Sequence, residues 1–61
     1  MTRSEIVAVA TDVRRKNRIN PNWRSQVTLA VVKAAKRARS PIFDDLDEIA
    51  SIVNEADRNI A

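Results

Sequence analysis

The chain has 61 residues and a formal net charge of +3 at pH 7, with no glycine, cysteine or histidine. That length holds one small domain, and the missing residues exclude a disulfide scaffold, a zinc finger, a Ser-His-Asp or Cys-His catalyst and a glycine-cradled phosphate loop. Six Ile, seven Val, two Leu, one Phe and one Trp supply a single thin core that nothing covalent reinforces, so association with a partner is expected.

Nine alanines, two prolines and no glycine favour helices over strands, because tight strand turns draw on Gly, Asn-Gly or Asp-Gly. The fold expected is all-α: a small three-helix bundle over residues 1–61, completed by homodimerisation. The first helix, at about 3–17, opens on a capping box, Thr2 with Glu5, and repeats Ile6, Val9, Ala10 and Val13 along one stripe. The β-branched run of Ile6, Val7, Val9 and Val13 also suits a strand, and the capping box decides for helix.

Asn20-Pro21 is a second start signal, a capping residue before a proline at the first helical position. The helix it opens, at about 21–39, carries Trp23, Val27, Ala30, Val31, Ala34 and Ala38 on one face and Leu29 and Val32 on another. Two apolar sides make it the expected central helix, with Trp23 as a core anchor. Ser40-Pro41 repeats the signal for a third helix at about 42–60. There Ile42, Leu46, Ile49, Val53, Ala56 and Ile60 follow spacings of four and three, and Ile52 widens the stripe toward the core.

Charge is split along the chain. Residues 1–39 hold ten Lys or Arg against Glu5 and Asp12, whereas residues 40–61 hold six acids against Arg58. In an up-down-up bundle Lys33, Lys36, Arg37 and Arg39 should meet and neutralise Asp44, Asp45, Asp47 and Glu48, an arrangement that also suits the helix dipoles. These acids lack the glycine turn and alternating spacing of a calcium loop, and Ser40 and Ser51 have no histidine to activate them. No metal, cofactor or catalytic set is therefore expected.

The other end keeps its charge: Arg14, Arg15, Lys16, Arg18 and Arg24 surround the junction of the first two helices, interleaved with Asn17, Asn20 and Asn22. Such a corner suits phosphate and base-edge contacts or an acidic protein surface. A helix-turn-helix would bring the acids of the third helix against phosphates, and a ribbon of residues 4–10 would present only apolar side chains to the groove. Trp23 and Phe43 sit where a small core would take them, away from stacking roles.

The leading functional expectation is a non-enzymatic regulatory or accessory protein that acts by protein-protein interaction. Self-association is expected through Leu29 and Val32 or through the edge of the Ile49, Ile52 and Val53 stripe. The alternative is a nucleic-acid-binding protein that uses the basic corner. With no apolar run of 18 residues, and with Glu5 and Asp12 inside the first 15, a cytoplasmic location and no membrane partner are expected. Size suggests a phage or mobile-element product with a host or regulatory protein, or nucleic acid, as partner.

Overall fold

In the computed structural model, which describes all 61 residues, three α-helices and one 3-10 turn follow in the order α1 (Arg3–Lys16), α2 (Trp23–Arg37), the 3-10 turn (Pro41–Asp44) and α3 (Leu46–Ile60). No residue is in a strand, and no helix is long and apolar enough to cross a membrane. The Cα radius of gyration is 10.3 Å and the extents are 31 × 18 × 18 Å, as expected for a folded chain of this length.

The capping box forms as the spacing predicts. Thr2 Oγ1 accepts from the Glu5 backbone N–H at 3.3 Å, and Glu5 Oε1 accepts from the Thr2 backbone N–H at 2.9 Å. The Thr2 backbone N–H first, and then the Thr2 hydroxyl, hold the Glu5 carboxyl below its ordinary range, because hydrogen bonds to the carboxylate favour its charged form.

The start of α2 departs from the expected boundary. Asn20 caps the turn and not the helix: its Oδ1 accepts from the Asn22 backbone N–H at 2.9 Å, and its carbonyl accepts from the Trp23 backbone N–H at 3.0 Å. Pro21 and Asn22 complete that turn, so the α-helix opens only at Trp23.

The third helix is broken where a single one was expected. Ser40 Oγ accepts from the Ile42 backbone N–H at 3.2 Å and caps the 3-10 turn; Asp45, with φ −110° and ψ 94°, is extended and restarts the helix. Its Oδ1 accepts from the Glu48 backbone N–H at 3.1 Å, a D-x-x-E start signal inside the expected helix. The break places Leu46 at the first helical position, outside the core stripe to which its spacing assigns it.

The core is built by Ile6, Val7 and Ala10 of α1, Val27, Val31, Ala34 and Ala35 of α2, and Ile49, Ile52, Val53 and Ala56 of α3. Val9, Val13, Trp23, Val32 and Ile42 pack against it half-buried. Helix α1, not α2, is central: it packs extensively on both neighbours, whereas α2 and α3 meet over a smaller surface. The reason is visible in α1, where Ile6 and Ala10 face the core while Val7 and Thr11 add a second buried edge. Thr11 is accommodated there because its hydroxyl donates to the Val7 carbonyl at 2.8 Å and accepts from Asn59 Nδ2 at 3.1 Å.

Candidate functional site

The basic corner divides into residues engaged in structure and residues that are free. Arg14, only 12% exposed at its side chain, donates from Nε to Asp57 Oδ1 at 2.9 Å and from Nη1 to the Asn17 carbonyl at 3.2 Å. Its guanidinium lies over the Trp23 ring, 4.0 Å from the centroid. Arg24 lies over the same ring at 4.6 Å and donates to Asn54 Oδ1 at 2.9 Å. One cluster thus ties all three helices together, with α3 supplying the acceptors that hold two cations against one indole. Trp23 is half-buried, so it is a core-edge residue covered by cations and not the fully enclosed anchor that its stripe suggests.

Lys16 pairs with Asp12 one turn back at 3.0 Å, both side chains well exposed. Arg15 and Arg18 are exposed and make no ion pair; Arg15 lines a shallow groove between α1 and α3 with Ser4, Val7, Ala8, Thr11 and Asn59. Of the interleaved asparagines, Asn17 donates to the Val13 carbonyl at 2.9 Å and Asn20 donates to Asn17 at 3.0 Å. These two amides close the turn, which leaves the Asn22 side chain without an internal partner. The corner therefore offers Arg15 and Arg18 as its uncommitted cations, fewer than the run R-R-K-x-R implies.

The expected neutralisation at the opposite end does not occur. Glu48 pairs with Arg3 Nε, and Glu55 accepts from Arg3 Nη1 at 2.8 Å, so the acids of α3 that form bridges are held by α1. These two carboxylates, Glu48 first, hold the Arg3 guanidinium above its ordinary value. Asp45 caps α3. Lys33, Lys36, Arg37, Arg39, Asp44 and Asp47 are all exposed and none of them forms a salt bridge. The physical reason is the parallel run of α1 and α3, which brings Arg3 beside Glu48 and Glu55 before any α2 cation reaches them.

The residues expected in a self-association surface also separate. Ile49, Ile52 and Val53 are buried within the single chain, where they close its core, so no copy can reach them without opening it. Val32 is half-buried against that core. Leu29 stands 49% exposed, and at 3.6 residues per turn it falls within an arc of about 100° that also holds Lys33, Lys36 and Arg37.

Two large apolar residues that spacing assigned to the interior are outside. Leu46 is 80% exposed and Phe43 39% exposed, flanked in sequence by Asp44, Asp45 and Asp47. The signal that locates them is Asp45 with Glu48: read as a helix start, it detaches Leu46 from the stripe that begins at Ile49. Ile19, 96% exposed in the turn between α1 and α2, stands apart from both groups. No family model, curated protein or solved structure matches the chain.

Proposed function

We propose that the chain is a small non-enzymatic accessory or regulatory protein that acts by protein-protein interaction, its own copies included. The observation that supports this reading is the exposure of Leu46 at 80%, three residues after an exposed Phe43, in a helix that draws Ile49, Ile52, Val53 and Ala56 into the core. Single exposed apolar residues are ordinary. Two of them at a helix start, beside Asp44 and Asp47, which form no salt bridge, offer an acid-rimmed apolar surface of the kind proteins recognise. Leu29 adds a second apolar point on α2. A cytoplasmic setting and a phage or mobile-element origin belong to this reading on size and composition.

A concentration series of amide ¹H-¹⁵N spectra tests it. Signals of residues 43–47 and of the Leu29 face of α2 should shift together as the protein is concentrated, while those of Ile49, Ile52 and Val53 stay fixed. Spectra that superimpose from low to high micromolar protein would contradict it.

One observation favours a second reading, nucleic-acid binding. Helix α2 contains no acidic residue, and none of its cations is bridged to a carboxylate. On this reading the contact surface moves from the corner toward Lys33, Lys36 and Arg37. It carries a steep loss of affinity with salt, because phosphate contacts release counterions.

A further inference from the structure

We infer that the surface of Leu29, Lys33, Lys36 and Arg37 on α2 and the surface of Phe43, Asp44, Leu46 and Asp47 at the start of α3 are the two halves of one interface, each engaging the other on a second copy of this chain. The inference rests on the protein-interaction reading above and names its partner.

Each surface has the same make-up with opposite sign. The α2 surface has one exposed leucine among three cations that form no ion pair, and the other has an exposed phenylalanine and leucine with two such acids. Neither suits a symmetric contact with itself. A two-fold axis through Leu29 would set Lys33, Lys36 and Arg37 against their own counterparts, and an axis through Leu46 would do the same with Asp44 and Asp47. Like charges so placed repel. Setting one surface against the other removes both repulsions and covers Leu29, Phe43 and Leu46 together.

Placement in the fold permits this with closure. Lys33, Lys36 and Arg37 lie in the C-terminal half of α2, which leads through the Pro41–Asp44 turn directly into the start of α3, so these cations and the acidic surface lie toward one end of the bundle, with Leu29 at the middle of α2. A two-fold related copy then places the cationic surface of each chain on the acidic surface of the other, an isologous contact that closes at two chains. The same charges do not pair within one chain, where Arg3 holds Glu48 and Glu55 and the bases and acids at this end stay apart.

A charge swap read by sedimentation tests the pairing. Lys33→Glu with Lys36→Glu, and separately Asp44→Lys with Asp47→Lys, should each weaken self-association by about tenfold or more, since each creates like-charge contacts. The chain carrying all four substitutions keeps the wild-type net charge and should return to within about threefold of wild-type affinity. Circular dichroism checks that each variant keeps its helices. Two single-face variants that associate as the wild type does, or a four-fold variant that stays dissociated, would overturn the pairing while leaving protein interaction intact. A wild type that remains monomeric would overturn both. A monomer whose Lys33→Glu, Lys36→Glu variant loses binding to a mixed-sequence DNA duplex would instead assign the α2 surface to nucleic acid.

Discussion

At the scale of single residues, Arg14 shows how similar side chains in one run acquire different roles. Arg14 and Arg15 are neighbours in sequence, but 100° of helix rotation separates them. Arg14 faces Trp23 and Asp57, and Arg15 faces solvent beside the α1–α3 groove. Replacing Arg14 with Ala removes a charge-assisted bond and a cation-π contact at a site 12% exposed, which should cost about 1–2 kcal/mol. Arg15→Ala should stay within about 0.5 kcal/mol of wild type. Urea unfolding of the two variants checks this, and equal losses would show that the Trp23 cluster contributes no stability. The density of the basic run was legible in the sequence. Which member turns inward was not, since that depends on α3 bringing Asp57 and Asn54 to the ring.

At the scale of elements, helix ends decide what the spacing of apolar residues leaves open. Helix α2 closes with the Ser40 backbone N–H bonded to the Ala35 carbonyl at 2.9 Å and the Arg39 backbone N–H to the Lys36 carbonyl at 3.1 Å. This is a Schellman closure, and it puts Arg39 at φ 54°, the left-handed region that glycine fills without strain. A chain without glycine holds an arginine there. Arg39→Gly should raise stability by about 1 kcal/mol, or about 4–8 °C in Tm, when measured by thermal unfolding. No gain, or a loss, would show that the arginine side chain contributes more than its backbone strain costs.

Start signals differ in how directly they place an α-helix. Thr2 and Glu5 stand at an unambiguous start and form the box expected of them. Asn20-Pro21 and Ser40-Pro41 do mark starts, but each opens a turn before its α-helix. Asp45 and Glu48 then move Leu46 from an expected core position to the surface. A four-three repeat is blind to such a restart, because Leu46 to Ile49 keeps helical spacing while the backbone before Asp45 does not.

For the whole molecule, the all-helical fold and three helices follow from composition and capping, and most of the apolar stripes find the core. The central position of α1 was not legible, because the alanines of α2 look equally suited to close approach on two sides. The charge balance differs from expectation for a related reason: nearness in sequence joins the end of α2 to the start of α3, whereas the parallel packing of α1 and α3 assigns Glu48 and Glu55 to Arg3. On the proposed reading, what is left outside, cations with Leu29 and acids with Phe43 and Leu46, forms the interface. The most direct test is sedimentation equilibrium of the wild type beside Leu46→Asp, from low to high micromolar concentration. The wild type should rise from a monomer of 6.9 kDa toward twice that mass, and Leu46→Asp should remain monomeric with its helices intact. A wild type that sediments as a monomer throughout, or a Leu46→Asp variant that associates as strongly as the wild type, would contradict the account.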